Sequence, residues 1–323
     1  MSSRHPVRSL LPFATVLLSA GLLLGPSPTP AAGQTDPAST STPTQDLLEA
    51  ARKPGPWKVA TLREKDGIRN GPQYRGGTIH YPVDAAGTEA PDGPLPIMVV
   101  CPGFQASEGS VRPWGRFLAS HGIVTMTLGT NTPRDFPNAR GRALLDAIET
   151  VRAENQREDS PLQGRLAVDR AGVAGWSMGG GGAQHAAVMD GSLKGVVAMV
   201  PWQPGWKFEH AVPVMILAGQ RDEVASTRSN ARPHFKNTPD STAKLLFEIR
   251  GGGHLLPSSP ANHEGEVGAW TLAWIKTFVE GDQNYRAVLE GRPSTASIYE
   301  LSLAEAQEPA ETPTEASPNT EKN

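Results

Sequence analysis

Residues 175–179 read Gly175-Trp176-Ser177-Met178-Gly179; they follow a short apolar run and precede a helix-compatible segment over residues 180–189. The G-x-S-x-G pattern between a strand and a helix is typical of a nucleophile elbow, in which a serine occupies a sharp turn. Glycines are needed because the backbone there is strained and a neighbouring side chain would collide with the turn. The N-terminus of the following helix favours developing negative charge. The sequence therefore predicts Ser177 as a nucleophile.

The base and the acid that a nucleophilic serine requires are found later in the chain. A serine hydroxyl is a weak nucleophile, so it needs a base and a group that orients the base. In the elbow fold these residues follow in the order Ser, acid, His. Asp222 comes just after an apolar strand and is the first candidate for the acid, with Glu223 as its rival. His254 follows the next strand and three glycines, with His263 as its rival. We therefore predict a triad of Ser177, Asp222 and His254.

An acyl-transfer site also needs two amide donors that stabilise the tetrahedral oxyanion. One is the amide of the residue after the nucleophile, which is Met178 in this chain. The other comes from the loop after the third strand of the fold; here that loop follows the apolar strand Leu95 to Cys101, and Phe104 can offer its amide. The Phe104 ring would then lie at the mouth of the site and contact the substrate. The alternative is a loop aromatic that fills the core.

Composition and charge limit the possible partners. The chain has 323 residues and a formal net charge of −3, so it lacks the basic footprint of a nucleic-acid-binding protein. The single cysteine, Cys101, permits no intramolecular disulfide and is expected to be a buried small hydrophobic residue. The chemistry predicted for Ser177 requires no metal or cofactor. We expect a monomer whose partner is an ester substrate.

The two ends of the chain differ from its middle. Residues 1–32 combine a basic start, a short apolar stretch and small residues near position 31, which is typical of a cleaved secretory signal peptide rather than a membrane anchor. This predicts an extracellular or periplasmic protein. Residues 33–50 are rich in Pro, Ser and Thr and predict a flexible linker. Residues 293–323 are acidic and rich in Pro and Thr, and they predict a disordered tail.

The catalytic domain is predicted over residues 51–292, where strands and helices alternate. Gly195 to Val200 and Pro213 to Ala218 are continuous apolar strands, as expected when both faces of a parallel sheet are covered. Asn138 to Asn155 has the apolar spacing of an amphipathic helix. The sequence therefore predicts an α/β fold with one mainly parallel central sheet flanked by helices and no large lid domain.

Several stretches together resemble bacterial polyester hydrolases, which are the actinomycete cutinases and the poly(ethylene terephthalate) (PET) hydrolases among the dienelactone-hydrolase-like α/β hydrolases. The elbow with four glycines, residues 175–182, is much more specific than G-x-S-x-G alone. Further similar motifs are Cys101-Pro102-Gly103-Phe104, Ala119-Ser120-His121-Gly122, Pro201-Trp202 and Ala273-Trp274-Ile275-Lys276. The likeness runs from about residue 70 to about residue 290.

The resemblance implies an α/β-hydrolase fold and a secreted serine esterase that cleaves cutin-like or PET-like polyesters through an acyl-enzyme. It implies the triad and the oxyanion donors already named. It adds Trp202 as an aromatic wall of the substrate groove, and Trp176 matches the PET hydrolase form of the elbow. Plain packing, in the core for Trp202 and beneath the site for Trp176, is the alternative to substrate contact.

Some positions depart from the family pattern and leave the substrate open. Gly251-Gly252-Gly253 replaces the usual Ala-Ser before the histidine, Leu255 stands where Phe or Ser is common, and the C-terminal cysteine pair is absent. Most of these positions border the groove. A small-ester carboxylesterase, a triacylglycerol lipase or an acetylxylan esterase is therefore an alternative. A non-catalytic binding protein of the cell envelope is a remote alternative, against which the complete triad argues.

Overall fold

One sheet of nine strands runs through the residues that the structure, a computed structural model, describes: 42–87 and 91–303. The strands are β1 (Lys58–Arg63), β2 (Tyr74–Val83), β3 (Leu95–Cys101), β4 (Val124–Thr130), β5 (Leu166–Trp176), β6 (Gly195–Met199), β7 (Val214–Gly219), β8 (Lys244–Ile249) and β9 (Ala296–Ser302). Their order is β1-β2-β4-β3-β5-β6-β7-β8-β9. The pairs from β4 to β8 in this order are parallel, while the β1–β2, β2–β4 and β8–β9 pairs are antiparallel.

Seven α-helices accompany the sheet within the described residues. They are α1 (Pro43–Ala51), α2 (Arg112–Ser120), α3 (Pro137–Glu154), α4 (Met178–Met189), α5 (Ala231–Asn237), α6 (Glu266–Ile275) and α7 (Arg286–Glu290). This is the α/β-hydrolase fold that the sequence predicted, and no large lid domain occurs in these segments. None of the helices described here is long and apolar enough to span a bilayer.

Alternate residues of β3 build the two halves of the core. Ile97 and Val99 belong to a cluster that also contains apolar residues of α3 and α4. Met98 and Val100 belong to a second cluster, with residues of α2 and α6. Because successive side chains of a strand point to opposite faces, the two clusters cover both sides of the sheet. Every residue of β3 is buried, which explains its uninterrupted apolar sequence.

The predicted flexible linker is wrong over residues 43–50, which belong to α1. The Thr42 hydroxyl accepts a hydrogen bond from the Gln45 amide, and the Gln45 side chain accepts one from the Thr42 amide. This capping box satisfies two donors at the helix N-terminus. Leu47 and Leu48 pack against the core on the α6 side. Local capping and apolar contact therefore outweigh the Pro-, Ser- and Thr-rich composition. The predicted signal peptide and the first part of the predicted linker lie outside the described residues.

The predicted disordered tail is also wrong at its start, because residues 296–302 form β9. This strand pairs antiparallel with β8 along the sheet edge. Tyr299 and Leu301 pack against the core, and the Tyr299 hydroxyl donates a hydrogen bond to the Leu289 carbonyl at 2.5 Å. An exposed strand edge presents unpaired backbone groups, and pairing with another strand satisfies them. The remainder of the predicted tail, from residue 304, lies outside the described residues.

Buried histidines lead us to expect that acid destabilises this fold. Burial lowers the pKa of His80, His210 and His234 from 6.5 to about 4. In the unfolded chain each imidazole regains an ordinary pKa near 6.5, so the unfolded state binds more protons between pH 6.5 and pH 4. With respect to these histidines, the free energy of unfolding should therefore be highest above pH 6.5 and should fall as the pH drops towards 4. Each histidine contributes on the order of 3 kcal/mol to this fall.

Urea unfolding at a series of pH values from 7.5 to 4.5 measures this effect. Carboxylates titrate over the lower part of the range, so a variant is needed to separate the histidine contribution. His210→Leu removes one buried imidazole. Between pH 6.5 and pH 4 it should reduce the slope of the free energy of unfolding against pH by the amount that corresponds to about one bound proton. A slope identical to that of the wild type would contradict the role of His210.

Candidate active site

The carboxyl ends of the central strands bring the predicted site residues to one edge of the sheet. Ser177 directly follows β5, Asp222 follows β7 and His254 follows β8. Phe104 follows β3, and Trp202 follows β6. Since β3, β5, β6, β7 and β8 are consecutive neighbours in the sheet, their five exit loops meet at the same edge. Open α/β sheets bind ligands at this edge.

Ser177 sits in the strained turn that the sequence predicted. Its backbone has φ 58° and ψ −118°, a left-handed region that costs a residue with a side chain free energy. Its amide donates to the Met199 carbonyl at 2.9 Å, and its carbonyl accepts from the Trp202 amide at 2.9 Å. A Cβ on Gly175 would lie only 2.1 Å from the Gly179 carbonyl oxygen. The turn is therefore fixed to the end of β6 and closes only around glycine.

The last two glycines of the elbow make room for α3. A Cβ on Gly181 would lie 3.1 Å from the Cβ of Pro137, and a Cβ on Gly182 would lie 2.7 Å from the Cβ of Arg140. Helices α3 and α4 can approach this closely because α4 has no side chains at these positions. The four-glycine run thus brings the start of α3 next to the elbow.

His254 bridges the other two members of the predicted triad. Its Nδ1 lies 2.8 Å from Oδ2 of Asp222, and its Nε2 lies 3.0 Å from Oγ of Ser177. Asp222 is only 4% exposed, and its Oδ1 accepts hydrogen bonds from the amides of Val224 and Ala225. A carboxylate held at both oxygens favours the Nδ1–H tautomer of the imidazole, so Nε2 can accept the serine proton.

The two rivals for these roles stand apart from the triad. Glu223 is exposed and His263 lies later in the loop that follows β8. Within the described residues, neither side chain hydrogen-bonds to Ser177, Asp222 or His254. The geometry therefore favours the first candidate at both positions.

The loops that carry the acid and the base are joined to each other. The Arg221 amide donates to the Gly252 carbonyl at 2.7 Å, and the Gly251 amide donates to the side-chain carbonyl of Gln220 at 3.0 Å. A Cβ on Gly219 would lie 2.6 Å from the Gly252 carbonyl oxygen, so these backbones touch. Sequence analysis missed the Gln220 contact, because a side chain that stabilises a neighbouring loop carries no signal in its own segment.

Trp176 supports the histidine loop from below. Its indole Nε1–H donates to the His254 carbonyl at 2.9 Å, and the two ring centroids are 6.3 Å apart. The side chain is partly buried and packs against the core on the α6 side. These contacts agree with the packing alternative for Trp176, and they give it a second task in holding the loop that carries the base.

The loop after β3 places Phe104 close to the nucleophile. A Cβ on the preceding Gly103 would lie 3.1 Å from the Cβ of Ser177. In the part of the chain that the structure describes, the amides of Phe104 and Met178 donate no hydrogen bond to protein. Met178 is the first residue of α4, where an amide has no acceptor within the helix. Both amides are therefore free to bind an oxygen of a ligand.

Apolar side chains surround the triad on an open surface. The Phe104 side chain is 47% exposed and that of Leu255 is 69% exposed, while Trp202 is partly exposed. Beside His254 lies a cleft of about 470 Å³ that Leu255 also lines. Exposed apolar side chains therefore flank the loops of the triad, while Ser177 itself is 6% exposed.

Metal-ligand and thiol groups are the other chemical groups to be located in this part of the fold. Among residues 42–87 and 91–303, no group of three or more His, Cys, Asp and Glu side chains is arranged to hold a metal ion. Cys101, at the end of β3, is fully buried, and burial raises the pKa of its thiol to about 11. A neutral buried thiol is a poor nucleophile, so Cys101 is a packing residue as expected.

Comparison with known proteins identifies the family. A family model described as PET hydrolase-like matches residues 32–308. A bis(hydroxyethyl) terephthalate hydrolase of Streptomyces coelicolor is 33% identical over 291 residues, which are 88% of this chain and 87% of the relative. Cutinase 2 of Thermobifida cellulosilytica is 32% identical over 76% of this chain and 88% of the relative. Cutinase cut1 of Thermobifida fusca is 32% identical over 76% of this chain and 72% of the relative. The chain therefore belongs to the PET hydrolase-like family and is a carboxylic ester hydrolase.

Proposed function

We propose that the protein is a secreted serine hydrolase that cleaves polyesters of the cutin or PET type through an acyl-enzyme. The observation that carries the proposal is the continuous hydrogen-bonded chain from Ser177 through His254 to the buried Asp222. These three residues lie beside exposed apolar side chains, and no lid domain occurs among the described residues. The secretory pattern of residues 1–32 supports export.

The proposed reaction begins at the Ser177 hydroxyl. Its oxygen attacks the ester carbonyl while its proton passes to Nε2 of His254, and Asp222 stabilises the imidazolium that forms. The amides of Phe104 and Met178 bind the oxyanion of the tetrahedral intermediate. The intermediate collapses with loss of the alcohol, which takes the proton from His254. Water then attacks the acyl-serine by the same proton transfers and releases the carboxylic acid and the free serine.

The substrate class follows from the surface around the serine. A polymer chain cannot enter a closed pocket, whereas the open edge of this sheet gives an extended ester access to Ser177. The Trp202 amide donates a hydrogen bond to the Ser177 carbonyl, so the backbone of this tryptophan lies next to the nucleophile. Aromatic rings such as those of Trp202 and Phe104 can stack on a terephthalate ring or cover an acyl chain. The names of the relatives, which include cutinases and a bis(hydroxyethyl) terephthalate hydrolase, support the same class.

Product release from aromatic and aliphatic polyester films tests the substrate class. We expect Trp202→Ala to lose about tenfold of its film activity, the value of one aromatic stacking contact, and to change p-nitrophenyl acetate hydrolysis much less. Trp206→Ala is the matched control, because this tryptophan is exposed on the same loop and lies farther along the chain from the serine. It should retain both activities.

The panel also separates the alternatives. Tributyrin, acetylated xylan and p-nitrophenyl acetate are assayed beside the films, with a fluorophosphonate as a probe for the activated serine. Hydrolysis of small esters without any release from films would replace the polyester assignment with a carboxylesterase, a lipase or an acetylxylan esterase. A wild-type protein that forms no adduct on Ser177 would be a binding protein instead.

A further inference from the structure

The guanidinium of Arg140 is buried in the interior of the protein. The side chain is 0% exposed, although burying a charged group costs several kcal/mol unless it is well paired. Its partners are three neutral backbone carbonyls: Nε donates to Asp135 at 2.8 Å, Nη1 to Pro102 at 2.9 Å and Nη2 to Pro133 at 3.0 Å. The guanidinium also lies beside the Cys101 thiol, but three of its hydrogen bonds go to these carbonyls, which indicates that the positions of the carbonyls matter.

Two of these carbonyls control both ends of one short segment. The Pro102 carbonyl immediately precedes Gly103 and Phe104. The Pro133 carbonyl accepts a second hydrogen bond, at 2.8 Å, from the amide of Gln105, which immediately follows them. The Arg140 guanidinium therefore holds the start of the segment Gly103–Phe104 directly, through the Pro102 carbonyl. It holds the end of the segment indirectly, because the Pro133 carbonyl accepts from both Arg140 and the Gln105 amide.

This segment needs to be held in place. Gln105 has φ 54°, a left-handed backbone conformation that costs a residue with a side chain free energy. Gly103 lies against the elbow, because a Cβ at its position would come within 3.1 Å of the Cβ of Ser177. Without a stabilising contact, the strained loop would relax and carry the Phe104 amide with it.

We propose that Arg140 is a positioning residue of the oxyanion hole, which fixes the direction of the Phe104 amide by holding the Pro102 and Pro133 carbonyls. The proposal rests on the proposed function, because it assigns the Phe104 amide to the oxyanion. It also gives the elbow glycines a further purpose, since Gly182 leaves the space in which α3 brings in Arg140. Arginine suits the task because its planar fork presents N–H groups in several fixed directions, which lysine cannot do.

Arg140→Lys and Arg140→Met test the proposal with p-nitrophenyl acetate as substrate. Deleting one oxyanion donor costs roughly 10²- to 10³-fold in kcat, and we expect a displaced donor to cost about 10- to 100-fold, with Lys less affected than Met. KM should change by no more than about threefold, because the oxyanion forms only after binding. A trifluoromethyl ketone, which forms a tetrahedral adduct with the serine, should lose affinity by the same factor as kcat.

A matched control separates positioning from general stability. Arg69 also donates to backbone carbonyls, those of Gly71 and Asp146, but it contacts none of the site residues. Arg69→Lys should lower the melting temperature without changing kcat or the ketone affinity. Rates are divided by the concentration of sites that a fluorophosphonate can titrate, so partial unfolding does not imitate a loss of kcat.

The possible outcomes are distinct. A wild-type protein that the fluorophosphonate does not label would overturn the proposed function, whatever the Arg140 variants do. A labelled wild type together with a folded Arg140→Lys of unchanged kcat and ketone affinity would overturn the positioning role alone. If neither Arg140 variant folds, Gly182→Ala displaces Arg140 instead, because the new Cβ would lie 2.7 Å from that of Arg140. A parallel loss of kcat and ketone affinity supports the proposal, and wild-type values overturn it.

Discussion

Replacing Ser177 with alanine should lower kcat on every ester by roughly 10⁴- to 10⁶-fold, while substrate binding changes little. In the proposed mechanism the nucleophile and its base act as a unit, and the Ser177 hydroxyl lies 3.0 Å from Nε2 of His254. His254→Ala should therefore cost about as much as Ser177→Ala. The double variant should be no slower than either single one, because the second change removes a group that has already lost its partner.

Initial rates with p-nitrophenyl acetate and product release from a polyester film both measure this loss. Ser192→Ala provides the control, because Ser192 is exposed and lies between α4 and β6, away from the elbow. It should keep wild-type rates on both substrates. Ser177→Ala should also lose all fluorophosphonate labelling. A Ser177→Ala protein that retains a tenth of the wild-type rate would remove this residue from the role of nucleophile.

The buried strands β3, β6 and β7 could be predicted to within one residue at each end, whereas the edge strands could not be predicted. Leu95–Cys101 was predicted with its observed limits, since this strand is buried over its whole length and forms one continuous apolar run. β1 and β9 lie at the two edges of the sheet and are partly exposed, so their sequences mix polar and apolar residues. Their stability comes from pairing with a neighbouring strand, and a local sequence pattern does not show that neighbour.

In the candidate site, too, some residues could be predicted from local sequence and others could not. Ser177 could be predicted because the strained turn imposes its glycines locally, and the order of acid and base follows from the order of the strands. The role of Arg140 could not, because its partners Pro102 and Pro133 belong to two other loops, and only tertiary packing brings α3 next to them. The hydrogen bond from Trp176 to His254 is likewise a contact between distant segments. Local sequence shows where reacting groups sit, and tertiary packing decides what orients them.

Asp222→Asn should lower kcat by about 10⁴-fold near pH 7, with the fold intact, because it reverses the tautomer of His254. In the wild type, Oδ1 of Asp222 accepts from the amides of Val224 and Ala225, and Oδ2 faces Nδ1 of His254. An asparagine keeps its oxygen on the two amides, so its NH2 group must face Nδ1. Nδ1 then accepts a hydrogen bond, the ring proton moves to Nε2, and Nε2 can no longer take the proton of Ser177.

Steady-state kinetics, the melting temperature and the rate of fluorophosphonate labelling together check this prediction. The substitution is nearly isosteric, so the melting temperature should shift little, while the labelling rate should fall with kcat because both require an activated serine. Glu223→Gln is the matched control, since this neighbouring carboxylate is exposed, and it should stay within about twofold of the wild type. If Asp222→Asn were only a few times slower and Glu223→Gln much slower, the acid would be Glu223. The amides of Val224 and Ala225 would then hold a carboxylate that has no part in the reaction.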